Sequence, residues 1–378
     1  MTPEAFSSLS REKQDRVLAD ALADSTYDEV SRRFRVSRGR IYGAACRLGA
    51  RKTEERLQEK KAERRKRRQA FMKEVINAVS TSDVLDYLDG IEDDSVDLHF
   101  TSPPYNIGRS YGGGGGDASR FHYYLGWLLQ VLSEMDRTLR PGGVLGLQVG
   151  ATRLDSGQVY PLDMVVAEHL RAMGLVYQNR VIWETPHGLV PRHRLANRHE
   201  TLLIFSKGDK PSVFNPTPAR SPQKQPGKRA FKGPNKGKLS SCPLGAWPTD
   251  VWRIRNIGHN HLERTGHPAQ MPEELARRAI LLYTLPGQLV CDPFSGSGTT
   301  AAQAIKTGRA FTGADLFYSD IRAERLKSVA PEAVSMLPGI SDEMVAVWEA
   351  EAQAVNHPAD PARAAHAPDQ IGLFEEAC

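Results

Sequence analysis

The stretch that constrains this chain most is Val290-Cys291-Asp292-Pro293-Phe294-Ser295-Gly296-Ser297-Gly298-Thr299-Thr300. An apolar run enters a glycine-punctuated turn and then helix-forming sequence, the pattern of a buried strand, a tight turn and a helix. Small residues let the backbone close on a ligand, and the first N–H groups of the helix stay free for a carboxylate or phosphate. The third glycine of the dinucleotide fingerprint is missing, and so is the Gly-Lys-Ser/Thr of a P-loop, which argues against hydride transfer and ATP hydrolysis. Downstream, Phe311-Thr312-Gly313-Ala314-Asp315 reads as a strand ending in an acid. That acid stands about 20 residues past the glycines, the spacing at which a carboxylate reaches ribose hydroxyls. Taken alone, Asp315 reads as a turn or cap residue; the paired spacing favours ribose binding.

The surrounding texture from residue 80 onward is α/β. Strands are expected at Val96–Phe100, Val144–Val149, Leu175–Trp183, Glu200–Phe205, Gln288–Asp292 and Ala310–Asp315. Helices are expected at Phe121–Leu139, with Leu125, Leu128, Leu129 and Leu132 on one side, and at Asp163–Met173, Pro272–Leu285 and Thr299–Lys306. Pro141-Gly142-Gly143 reads as the turn into the second strand. The 378 residues suffice for one large α/β domain with an appendage. No apolar run reaches membrane-spanning length, and no signal segment opens the chain. Cys46, Cys242, Cys291 and Cys378 are scattered, so neither a disulfide framework nor a zinc site is expected, and a cytosolic location fits.

A second constellation, Thr101-Ser102-Pro103-Pro104-Tyr105-Asn106, follows a strand directly. Two prolines fix the backbone and remove two donors, leaving the Pro103 and Pro104 carbonyls as acceptors. Ser102 adds an acceptor and Tyr105 a flat face. These residues suit a socket for a flipped base bearing an amino group. A proline-rich loop is the plainer reading of the hexapeptide in isolation.

In combination the two constellations resemble the amino-methyltransferase family of DNA modification enzymes, whose signature is (Asp/Asn/Ser)-Pro-Pro-(Tyr/Phe). "TSPPYN" at 101–106 and "DPFSGSGTT" at 292–300 match its catalytic and methionine-binding motifs. "HPAQMPEELARRAI" at 267–280, "VDLHF", "RTLRPGGVL" at 137–145 and "RHETLLIFSKG" at 198–208 are similar to further family segments, so that the resemblance covers roughly residues 80–325. The catalytic motif precedes the cofactor motif, the order of the permuted beta class.

That resemblance implies a Rossmann-like, seven-stranded, mostly parallel sheet with helices on both faces. It implies methyl transfer from S-adenosylmethionine to an exocyclic amino nitrogen. Carried over by position, Ser102, Pro103, Pro104 and Tyr105 are catalytic. Asp83, His267, Pro268, Asp292, Phe294, Gly296, Gly298, Asp315 and Phe317 bind the cofactor, with Leu316 alternative to Phe317 near its adenine. The implied chemistry is direct and in line, with no covalent enzyme intermediate and no side chain that needs a strongly perturbed pKa. Serine at 102 is the more frequent variant among enzymes making N4-methylcytosine, which is the expectation here; adenine N6 is the alternative. Cytosine C5 chemistry would need a Pro-Cys nucleophile, which is absent around Cys242 and Cys291.

The flanks speak to partners. Residues 1–50 read as a small all-α domain: Val30 and Phe34 lie one helical turn apart, Val36-Ser37 makes a break with Ser37 as N-cap, and Ile41, Ala45 and Leu48 form the next apolar stripe. This resembles a helix-turn-helix, with Arg38, Arg40 and Tyr42 facing double-stranded DNA; a helical bundle for protein contact is the alternative. Residues 51–79 carry the basic run "KKAERRKRRQ" at 60–69, either a solvated linker helix or a phosphate-contacting strut. Within the methyltransferase domain (80–330), residues 207–255 read as an irregular target-recognition insertion, with Lys232 and Lys236 as DNA contacts. The glycine run at 112–116 reads as a mobile loop or a plain linker.

Residues 331–378 read as one helix (341–355) and a disordered tail. There Gln370-Ile371-Gly372-Leu373-Phe374 resembles the peptides by which bacterial proteins bind the sliding clamp. "HNH" at 259–261 lacks the setting of a metal nuclease, so no metal is expected. A monomer or homodimer in a bacterial or phage-infected cytoplasm, associated with the nucleoid, is the expected setting. A non-catalytic DNA-binding regulator and an RNA or protein methyltransferase are the rival classes.

Overall fold

The computed structural model describes residues 2–22, 25–47, 54–112, 117–185, 190–221, 223–225, 227–238, 240 and 245–329. The expected helix at 341–355, the clamp-like peptide and most of the glycine run lie outside these residues. The chain divides into two units, Met1–Ala70 and Phe71–Cys378.

The first unit contains α1 (Pro3–Ser7), α2 (Arg11–Ala21), α3 (Tyr27–Phe34) and α4 (Arg38–Arg47). Helix α5 (Glu54–Val75) follows. Thr26 opens α3 with a reciprocal capping box to Glu29. Arg35 closes α3 in the left-handed region, and Ser37 Oγ accepts the Arg40 N–H at 3.3 Å. The expected break and cap are thus both present. Phe6, Leu18, Leu22, Val30, Phe34, Ile41, Ala44 and Ala45 form the core. Leu48, the last residue of the expected stripe, lies outside the described residues. One assignment is corrected. Arg40 is partly buried and ion-pairs with Asp15 on α2, so its charge braces two helices of this unit instead of standing free for DNA. Tyr42 is 51% exposed.

The second unit is built on β1 (Ala78–Ser80), β2 (Val96–Thr101), β3 (Leu139–Val149), β4 (Ala151–Arg153), β5 (Val159–Pro161), β6 (Val176–Glu184), β7 (His199–Ser206), β8 (Val251–Arg253), β9 (Leu289–Asp292) and β10 (Ala310–Ala314). The main sheet runs β1-β10-β9-β2-β3-β7-β6-β8, while β4 and β5 pair separately. Strands β1, β10, β9, β2 and β3 are mutually parallel, and β7 runs antiparallel between β3 and β6. Among the described residues the sheet has eight strands, against the expected seven. The extra one is β8, contributed by the insertion and paired parallel to β6. It holds because Trp252 is buried between exposed Val251 and Arg253 and the Ile182 N–H donates to the Asp250 carbonyl at 2.7 Å. Three residues are too few for alternation to be visible in the sequence. Pro141–Gly143 is a second difference: it lies inside β3, where the register against β2 shifts, rather than before it.

Helices α6 (Val84–Gly90), α7 (Phe121–Thr138), α8 (Leu162–Ala172), α9 (Glu273–Tyr283), α10 (Thr299–Lys306) and α11 (Ser319–Lys327) complete the unit. Residue alternation along the strands assigns two cores. Leu203, Phe205 and Cys291 belong to one with α6, α7 and α8, and Leu202, Ile204 and Val290 to the other with α9 and α10. Helices therefore cover both faces. The chain leaves β9 through α10 toward β10, and leaves β2 through α7 toward β3, in opposite directions. The carboxyl ends of β9 and β2 are thus a topological switch point, where open α/β sheets form their ligand crevice.

Candidate active site

The two motifs meet at that switch point. Thr101, the last residue of β2, donates its hydroxyl to Asp292, the last of β9, at 2.5 Å. Asp292 also accepts the Thr300 hydroxyl at 2.6 Å and the Phe294 N–H at 3.1 Å. Complete burial pushes its carboxyl up to about 6 despite those donors. Its carboxylate braces strand, turn and helix α10 together. A cavity of about 550 Å³ opens over this junction, within the range of ligand sites.

Ser102, Pro103, Pro104, Tyr105, Asp83, His267, Pro268, Asp292, Phe294, Gly296, Asp315 and Phe317 all line it; of the expected cofactor set, Gly298 does not. Gly298 instead caps α10 at φ +78, a conformation an L side chain rarely adopts. Gly296 stands at φ +48, where a Cβ would come 2.9 Å from His267 Nε2. Asp315, at the end of β10, accepts the Gly296 N–H at 2.9 Å and the Phe317 N–H at 2.9 Å, and Arg322 stands 3.7 Å away. Asp83 is the N-cap of α6, accepting the Leu85 N–H at 2.8 Å. His267 lies against Tyr318 and Tyr111 with ring centroids 4.5 and 6.2 Å away. Burial, helped by Arg109, Arg264 and Arg322, lowers its pKa to about 4, so the ring is neutral.

The catalytic tetrapeptide leaves β2 into a pinned loop. Asn106 adopts φ 60, which Asn tolerates, and exchanges side-chain hydrogen bonds with the Ser119 backbone. Asp117 accepts the Asn106 and Arg109 N–H groups at 3.1 and 2.6 Å, and Arg109 donates to the Pro268 carbonyl at 2.6 Å. The Pro104 carbonyl accepts the Tyr124 hydroxyl at 2.6 Å, which engages one of its two lone pairs. Among the described residues no donor meets the Pro103 carbonyl, and Pro103 lines the cavity beside Ser102.

Sequence reasoning missed Glu200 and Gln148. Tyr105 donates to Glu200 at 3.0 Å, Ser102 Oγ lies 3.0 Å from Tyr105 Oη, and Gln148 donates to the same carboxylate. Burial raises the Glu200 pKa. Asp292 and His267 are perturbed as well, although the direct transfer implied by the resemblance requires no such shift. The available signal was an acid heading the otherwise apolar run of β7. Lys232 and Lys236 lie exposed in the insertion and do not line the cavity. His259 and His261 lie outside regular structure, and the described residues contain no cluster of three metal-ligand side chains.

The comparisons agree with the geometry. A family model described as DNA methylase, of the N6/N4 type, matches residues 96–321. The type II methyltransferase M.BglII of Bacillus subtilis is 40% identical over 273 residues, covering 72% of this chain and 74% of that protein. The type II methyltransferase M.ScaI of Streptomyces caespitosus is 31% identical over 258 residues, covering 66% and 80%. The DNA adenine methyltransferase YhdJ of Escherichia coli K12 is 30% identical over 235 residues, covering 62% and 76%. Among solved structures, the cytosine-N4-specific PvuII DNA methyltransferase matches with a TM-score of 0.51 at 20% identity, covering 73% of this chain and 92% of that one, a likeness of fold. The matched family model and these relatives define the class as DNA methyltransferase. The chain belongs to the N4-cytosine/N6-adenine DNA methyltransferase family.

Proposed function

We propose that this enzyme methylates N4 of a cytosine flipped out of double-stranded DNA at a specific site. The observation that carries the reading is that Ser102 and Pro103 both line the cavity, offering Ser102 Oγ and the Pro103 carbonyl as a pair of acceptors. Two acceptors bind the two hydrogens of an amino group and turn its lone pair out of conjugation, so that positioning supplies much of the rate. Tyr105 offers its ring to the base. S-adenosylmethionine supplies an electrophilic methyl group. Gly296, Asp315, Phe317, Asp83, His267 and Pro268 would hold it, and the left-handed glycine turn beside a carboxylate fits a ligand with an amino-acid end and a ribose.

Serine rather than aspartate at 102 favours cytosine. Adenine N6 is the second reading, favoured by the 30% identity to a DNA adenine methyltransferase. Nucleoside mass spectrometry of treated DNA decides: N4-methylcytosine is expected, and N6-methyladenine alone would refute the assignment.

The first unit is proposed as a helix-turn-helix contacting DNA through Arg38 and Tyr42, and residues 207–255 as the target-recognition region with Lys232 and Lys236 on phosphates. α5 would add salt-dependent backbone affinity. No helix among the described residues is long and apolar enough to cross a membrane; work on the host nucleoid within the cytoplasm is proposed, with or without a restriction partner.

A further inference from the structure

We infer that Glu200 is the proton acceptor and positioning residue at the end of a one-way hydrogen-bond chain running from the target amino group through Ser102 and Tyr105. This rests on the amino-transfer reading and adds a role for Glu200, a residue of the 198–208 segment to which the resemblance assigned none. Ser102 Oγ is 3.0 Å from Tyr105 Oη, and Tyr105 Oη is 3.0 Å from Glu200 Oε2. An ionised carboxylate only accepts, so the tyrosine O–H points at Glu200. Tyr105 Oη is then left to accept the Ser102 O–H. With its own proton committed, Ser102 presents lone pairs to the cavity, the polarity an amino donor requires. Gln148, on the strand beside β7, donates to the same carboxylate and fixes its orientation. The Tyr105 ring is held on the Gly150 backbone, where a Cβ would come 2.9 Å from its Cε2.

The chain also solves a problem of charge. As the N–C bond forms and the methyl donor's S–C bond breaks, the amino nitrogen becomes cationic and must lose a proton. That proton passes to Ser102 Oγ, the serine's own proton to Tyr105 Oη, and the tyrosine's to Glu200. The products are a methylamino base, a neutral thioether and a neutral carboxylic acid, which later returns its proton to solvent. Burial raises the affinity of Glu200 for a proton, and Tyr105, Gln148, Arg109 and His199 lower it; Tyr111 also faces it.

The test uses the full chain, labelled S-adenosylmethionine and unmodified mixed-sequence duplex DNA, with Glu200→Gln, Glu200→Asp and Tyr105→Phe. E200Q keeps the shape, and the Gln148 amide can flip to meet it. The single-turnover rate should fall about 10²–10⁴-fold in E200Q and Y105F, the scale of a lost general base. E200D should retain more activity than E200Q. The wild-type rate should fall as pH drops through the raised pKa of Glu200, a limb absent from E200Q.

Two readouts are independent of turnover. Affinity for S-adenosylmethionine, by calorimetry, should stay within about threefold. E200Q should melt higher than wild type at pH 8, the gain shrinking toward the ordinary carboxyl value of 4.5, because the raised acid favours the folded state when protonated and loses that advantage as pH rises. E200Q turning over within about threefold of wild type overturns the relay alone. Equal impairment of E200Q and E200D with lowered melting also overturns it, making Glu200 a brace. No transfer by the wild-type protein to any DNA overturns the amino-transfer reading and the relay with it.

Discussion

Gly296→Ala puts the cofactor turn under a calculable load. The backbone there is at φ +48, and a non-glycine residue in that region costs about 1–2 kcal/mol. The new methyl would lie 2.9 Å from His267 Nε2. His267 cannot retreat freely: Tyr111 and Tyr318 flank its ring, and its Nδ1 accepts the Ala269 N–H at 3.2 Å. Overpacking of this kind adds about 1–3 kcal/mol. The sum, about 2–5 kcal/mol, should lower the melting temperature by roughly 4–20 °C at the sensitivity of a domain this size. Displacing His267 into the cavity should also weaken S-adenosylmethionine binding at least about tenfold, which takes only about 1.4 kcal/mol.

Gly287→Ala is the control. It shares a positive φ, +80, but a Cβ there meets nothing within 4 Å. It should cost only the backbone term and leave affinity unchanged. Differential scanning fluorimetry and isothermal titration calorimetry read both quantities. A G296A protein that binds and melts like G287A would refute the reasoning.

Four further outcomes are expected. Arg40→Ala should destabilise the N-terminal unit by about 1.5–3 kcal/mol, the scale of a hydrogen bond to a charged group, since Arg40 pairs with buried Asp15; hydrogen exchange confined to residues 2–47 checks it. Tyr42→Ala should weaken DNA binding without changing that exchange, as a 51% exposed ring carries little of the unit's core; equal loss of protection would contradict the assignment. His267 is held neutral, its pKa near 4 against the ordinary 6.5. The unfolded chain therefore binds more protons between those values, and stability should decline as pH falls through them. His267→Gln should flatten that dependence in pH-resolved melting curves. Gly313→Ala should fold poorly, because its Cβ would stand 2.5 Å from the Asp292 carbonyl oxygen; normal soluble yield would contradict that packing.

What the sequence could reveal follows from range. The β9 turn, the tetrapeptide and the strands with continuous burial such as β2 and β7 carry their signal in consecutive residues. They were legible, as were the α3–α4 break and its serine cap. Three-residue β8 was not, because its place depends on Trp252 finding a pocket beside β6. The fate of Arg40 depended on Asp15, which lies 25 residues away. The Pro104 carbonyl accepts from Tyr124, 20 residues away, and the Glu200 contact with Tyr105 spans 95 residues. Such pairings exist only once the sheet order brings β2, β3 and β7 side by side.

The central claim is methyl transfer to a base amino nitrogen at the Ser102–Tyr105 socket. Its most direct test is transfer of a labelled methyl group to unmodified duplex DNA, followed by nucleoside analysis, for wild type beside Ser102→Ala. Label in N4-methylcytosine with wild type, reduced by about 100-fold or more in S102A, is the predicted result, on the scale of losing a positioned hydrogen-bonding group. Undiminished labelling by S102A, or no labelled nucleoside from the wild-type protein, would contradict the account.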